Sequence, residues 1–139
     1  LVRLNAQRPL ALALLQLFPW FGLDLPPDLR RPSSARLRTA LEYLQHHAHE
    51  AITPADAARA AGMHTRTLQQ ATRSHLGVSP SEYLRGVRLD RARHDLTEGM
   101  PGSQTVAAIA HDWGFGHLGR FSAFYRGRFG ERPGDTLRR

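Results

Sequence analysis

SPSEYLRGVRLDRARHDL, running from Ser79 to Leu96, decides how the rest of this 139-residue chain is read. It opens as a helix should. Ser79 can cap, Pro80 suits the first helical position, and Glu82 stands three residues after the cap, where it completes a capping box. The stretch then carries two apolar stripes: Tyr83, Leu84 and Val87 on one side, and Leu89, Ala92 and Leu96 roughly 160° away at ~100° per residue. A helix with two apolar sides has two bodies to hold, and the flanking sequence supplies a repeated pattern for them. ARAAGM at 58–63 and AHDWGF at 110–115 share the spacing alanine, three residues, glycine, apolar residue. Gly77 and Gly130 each close the helical pattern that follows.

Composition narrows the function. The net charge is +7, and all 19 basic residues are arginine. Such a balance favours an anionic partner such as nucleic acid, although arginine-only usage also follows from genomic base composition. There is no cysteine, which excludes disulfides, thiolate metal sites and cysteine nucleophiles and suits a reducing cytosol. The apolar run Leu10–Leu15, continuing to Phe18, is too short to span a bilayer and lacks a signal-peptide layout before it. The chain begins at Leu1, which points to an upstream part having been removed.

Read in order, residues 9–18 suggest a helix that needs covering on more than one side, as the tail of an upstream domain or a self-association helix, the alternative being plain packing onto the rest of this chain. Residues 22–34 have the proline and polar density of a linker. From Arg36, Leu37, Leu41 and Leu44 mark an amphipathic helix ending near His46, His47 and His49. These histidines lack a carboxylate partner at ligand spacing, so a solvated helix end accounts for them better than zinc. Thr53, Pro54 and Asp56 write a second helix start, and Ala57, Ala58 and Ala61 allow close helix crossing before Gly62 ends it. His64–Leu76 follows, anchored by Leu68. After a turn at 98–103, Val106, Ile109, Ala110 and Trp113 form an apolar face, and Phe121, Phe124, Tyr125 and Phe129 line a last helix. Trp113, Phe115, Phe121, Phe124 and Phe129 are expected in the core. No segment keeps a period of two between turn signals. The expected fold is therefore all-α, with about seven helices.

Helix, glycine turn and helix is the layout of the helix-turn-helix, whose second helix enters the DNA major groove. Two copies at matched spacing, joined by a two-faced helix, say more than one. Residues 36–139 resemble the DNA-binding domain of the AraC/XylS family of bacterial transcription regulators. The resemblance is carried by ITPADAARAAGM at 52–63, Thr67 and Leu68, GVSPSEYL at 77–84, RLDRAR at 88–93, VAAIAHDWGF at 106–115, FSAFYRGRFG at 121–130, and Pro133. It implies a homeodomain-like domain over 35–139, with helix-turn-helix subdomains at 54–76 and 103–129 joined by a linker helix at 80–97. Residues 1–34 would be the remnant of an effector or dimerisation domain plus linker.

The resemblance implies sequence-specific binding of double-stranded promoter DNA through two recognition helices in successive major grooves. It also implies RNA polymerase as a further partner, an effector acting only through the upstream domain, a cytoplasmic, nucleoid-associated location, and no cofactor. Carried over by position, Thr65, Arg66, Gln69 and Gln70 would face bases, since arginine pairs bidentately with guanine and glutamine with adenine. Arg73, one turn on, would contact phosphate, which positions without reading sequence. In the second subdomain the matching positions are His117, Leu118, Gly119, Arg120 and Ala123, with Arg126 a further DNA-binding candidate. Ala123 departs from the family's usual arginine, and Thr72 stands where the family has an aromatic core residue, which predicts looser packing of the first subdomain. No enzyme is implied: the same module accompanies alkyl-transfer repair proteins, but those need a nucleophilic cysteine. The alternative is a protein-interaction module that kept the fold and lost specific DNA binding.

Overall fold

The computed structural model describes residues 34–99, 102 and 104–139. Among these there are seven α-helices and no strand: α1 Ala35–His46, α2 Pro54–Ala60, α3 Thr65–Leu76, α4 Pro80–Glu98, α5 Val106–Asp112, α6 Leu118–Phe129 and α7 Pro133–Leu137. None is long and apolar enough to cross a membrane. The chain divides into two compact units, and the boundary falls inside α4, between Val87 and Arg88. The described residues of the first are 34–48 and Ile52–Val87; the second comprises His49–Ala51 and Arg88–Arg139.

In the first unit, α1 turns Leu37, Ala40, Leu41 and Leu44 inward at helical spacing, all at 3% exposure or less. Burying each leucine stabilises the fold by roughly 2 kcal/mol. The next helix starts where sequence chemistry dictates: the Asp56 carboxylate accepts from the Thr53 backbone N–H at 2.8 Å and from its hydroxyl at 3.2 Å. Ala57 and Ala58 are buried without bulk, which lets α2 lie close to α1 and α3. Leu68, Thr72 and Leu76 bury the inner side of α3. Tyr83, Leu84 and Val87 complete this core from the first half of α4, and the Gln45 side-chain amide donates to the buried Tyr83 hydroxyl. The Ser79 hydroxyl caps that helix, accepting from the Glu82 N–H at 3.1 Å.

The second unit is built on the other stripe of α4. Leu89, Ala92 and Leu96 form one buried cluster with Ile109, Ala110, Phe121 and Tyr125, against which Val106, Trp113, Phe115 and Phe129 pack. Its polar groups are partnered. The Trp113 indole N–H donates to Asp95 at 2.7 Å, and the Tyr125 hydroxyl donates to Thr136, whose own hydroxyl donates to Glu131. The Arg88 guanidinium donates to the Glu50 carbonyl at 2.8 Å, which ties residues 49–51 to this unit.

Several expectations need adjusting. Phe124 is 36% exposed rather than core, and Tyr125, fully buried, fills the place its spacing suggested. The first helix of the second helix-turn-helix runs from Val106, where the Thr105 hydroxyl is the cap, accepting from the Ala108 N–H at 3.0 Å. The short helix Pro133–Leu137 was not foreseen, although Arg132-Pro133-Gly134-Asp135 repeats the cap, proline and acid spacing of Thr53-Pro54-Ala55-Asp56. The helix expected over residues 9–18 lies outside the described residues.

Candidate nucleic-acid interface

Each unit contains one helix pair joined by the same turn. In the first, Met63 N–H donates to the Ala58 carbonyl at 2.9 Å and Gly62 N–H to the Arg59 carbonyl at 3.1 Å. In the second, Phe115 N–H donates to Ala110 and Gly114 N–H to His111, both at 2.9 Å. This is the six-to-one closure of a Schellman motif, which needs a left-handed residue. Gly62 and Gly114 supply it, with φ of 67° and 83°. The glycine repeat in the sequence is thus two copies of one turn.

Thr65 is the first residue of α3 and is half-buried. Arg66, Gln69, Gln70 and Arg73 are all exposed. At ~100° per residue these four fall within an arc of about 100°, opposite the buried Leu68 and Thr72. They therefore share one outward face that offers guanidinium and amide donors together. Among the described residues no carboxylate pairs with Arg66 or Arg73. Thr72 is fully buried, and its hydroxyl donates to the Leu68 carbonyl of its own helix at 2.9 Å. This small residue thus closes its polar group within its own helix.

In the second unit, His117, Leu118, Gly119, Arg120, Ala123 and Arg126 are all exposed. His117 has a structural task that the sequence reading missed. It is the N-cap of α6, and its Nδ1 accepts from the Arg120 N–H at 3.1 Å. A β-carbon at Gly119 would stand 3.0 Å from the imidazole Cε1, so the glycine leaves the cap its room. Arg128, on the same helix, turns inward instead and grips the buried Asp90. Leu118, at 47% exposure, and Ala123 share a surface groove with Arg126, Arg132 and Arg138. Arg132 and Arg138 escaped the sequence reading together with the short helix that positions them. His47 stacks on Tyr43 with ring centroids 4.4 Å apart, while His46 and His49 are exposed.

Residues 57–139 match the family described as a helix-turn-helix domain. The solved structure of a probable AraC family transcriptional regulator from Rhodopseudomonas palustris CGA009 superposes with a TM-score of 0.70 at 33% identity, covering 76% of this chain and 96% of that one. The chain belongs to the AraC family. Among its AraC-type relatives, the probable thc operon regulatory protein of Rhodococcus erythropolis is 40% identical over 102 residues, 73% of this chain and 31% of that protein. The XylDLEGF operon transcriptional activator of Pseudomonas putida is 29% identical over 123 residues, 88% of this chain and 38% of that protein. The chain thus spans about a third of the length of these curated relatives. It holds the AraC-type helix-turn-helix DNA-binding domain of transcription regulators, and the role of these relatives is not an enzymatic one. The reading as a protein-interaction module is not favoured by them.

Proposed function

We propose that this chain is the DNA-reading part of a sequence-specific regulator of bacterial promoters, in which α3 and α6 enter successive major grooves of one duplex. The observation that supports it most is the face of α3. Arg66, Gln69, Gln70 and Arg73 are exposed side by side on a helix whose other side is sealed by Leu68, Thr72 and Leu76. A guanidinium and two amides on one arc match the acceptor and donor edges of guanine and adenine in the major groove. Arg73, at the helix's last turn, sits where a phosphate contact would fix register without reading sequence. Thr65 opens the same helix. In α6, Arg120 and Arg126 are the cations available to the duplex, and His117 adds its outer ring nitrogen while its inner one caps the helix. The excess of arginine supplies the non-specific attraction that brings such a domain to DNA.

Residues 35–139 would form this DNA-binding part, with 1–34 joining it to an effector or dimerisation domain. An effector would act through that upstream domain. RNA polymerase would be the protein partner at the promoter, and the cytoplasmic nucleoid the place of action. Selection from random duplex DNA followed by footprinting tests the reading. It predicts one enriched motif with two protected half-sites about one helical turn, 10–10.5 base pairs, apart. Uniform protection without an enriched motif would contradict it.

A further inference from the structure

The two recognition helices present different chemistry. Where α3 shows amides and guanidinium groups, the first half of α6 exposes Leu118, Gly119 and Ala123 around the single guanidinium of Arg120, with Ser122 half-buried beside them. Leu118 is the first residue of the helix and, at 47% exposure, one of two large apolar side chains left in solvent among the described residues. It lies in an open groove of about 360 Å³ together with Ala123, and Arg126, Arg132 and Arg138 border that groove. An apolar floor rimmed by cations suits a ligand that is apolar at one edge and anionic at its sides.

We propose that Leu118 and Ala123 read thymine, through its 5-methyl group, in the half-site facing the second unit, while Arg126 and Arg132 hold the flanking phosphates. This rests on the DNA-reading role proposed above and assigns it a base preference. In the major groove the thymine methyl is the one apolar mark on a base-pair edge, and it is read by apolar contact rather than by a hydrogen bond. The residues at the start of a recognition helix are those that reach base edges, which is where Leu118 stands. Gly119 and Ala123 add no bulk to keep the helix backbone away from the bases. Arg138 is already held by the Asp135 carboxylate at 2.9 Å, so Arg126 and Arg132 are the rim cations that make the surface complementary to a polyanion rather than to a neutral apolar peptide.

Deoxyuridine, which is thymidine without the methyl, tests this directly. The duplex selected by the chain would be resynthesised with each thymine of the second half-site replaced singly, and affinities measured by fluorescence anisotropy at fixed salt. One or two replacements should weaken binding about fourfold each, as expected for losing one buried methyl. Leu118→Ala, at an exposed site that does not hold the core, should bind the unmodified duplex more weakly and lose the response to the strongest replacement. Replacements in the half-site of α3 should affect Leu118→Ala and the parent chain equally. If the chain selects a sequence but every second-half deoxyuridine is silent, methyl reading is wrong while the DNA role stands. If Leu118→Ala keeps the full response, the assignment to Leu118 is wrong. If no sequence is selected at all, the underlying DNA role fails, and the groove is better explained as a protein-docking surface.

Discussion

Arg128 holds Asp90 through two parallel hydrogen bonds, Nε to Oδ1 at 2.8 Å and Nη2 to Oδ2 at 2.6 Å, with Asp90 only 1% exposed. The pair fastens the inner side of α6 to the second half of α4. Burial pushes the Asp90 carboxyl up to about 6 even though Arg128, Arg93 and Arg91 all pull it down. A carboxyl whose folded pKa exceeds its unfolded value of ~3.9 binds more protons when folded, so its stability contribution falls as pH rises from about 4 to about 6. Removing the guanidinium enlarges the charge penalty in the same direction. Arg128→Met should therefore cost about 3 kcal/mol at pH 7.5 and clearly less at pH 5, as read by urea denaturation. Asp90→Asn in the same background should remove the difference between the two pH values. An equal cost at both would show that Asp90 is not the group responsible.

The cap on α6 separates a structural from a recognition role for His117. His117→Ala removes the acceptor for the Arg120 N–H and should lower stability by about 1 kcal/mol. His117→Asn keeps a capping oxygen and should restore most of that loss. If the imidazole also touches DNA, His117→Asn will bind DNA more weakly than the parent despite restored thermal stability. Full recovery of both would confine His117 to capping. Gly119→Ala should shift the imidazole by a few tenths of an ångström, visible as a change in the Arg120 amide resonance.

Thr72 gives a third expectation, for the first unit. Its buried hydroxyl bonds the Leu68 carbonyl, which its own helix already engages, so the bond adds little while the hydroxyl is withdrawn from water. Thr72→Val should leave the fold intact and raise stability by roughly 0.5 kcal/mol in chemical denaturation. Destabilisation beyond about 1 kcal/mol would mean that the hydroxyl contributes more than this geometry implies.

Much of this arrangement was legible in the residues. The two stripes of Ser79–Leu96 became the two halves of α4, divided between Val87 and Arg88. The repeated glycines became matching turns because a six-to-one closure demands a left-handed residue, and sequence displays that demand openly. Phe124 was misplaced because aromatic character and a spacing of three from Phe121 both say "core", while its phase, ~60° from Phe121 and ~100° from Tyr125, leaves it at the edge of the buried side. The helix at Pro133–Leu137 was missed because five residues are too few to show a period, although its cap spacing was readable. The inward turn of Arg128 was hidden as well, since its partner lies 38 positions away. For the candidate interface, Arg66, Gln69, Gln70 and Arg73, carried over from the resemblance rather than read from helical phase, are exposed on α3, with Thr65 half-buried at its start. The groove around Leu118 depends on a helix that was not foreseen.

The claim on which the rest depends is that the outer face of α3 reads base pairs, and paired substitutions at Arg66 and Arg73 test it most directly. Binding of each variant would be measured across all single-base variants of the selected site and over a range of salt. Arg66→Ala should relax preference at one base pair, by about 1–3 kcal/mol, with the salt slope nearly unchanged. Arg73→Ala should weaken every sequence alike and reduce the slope by about one phosphate contact. Equal loss of sequence preference in both variants, or none in either, would contradict the account.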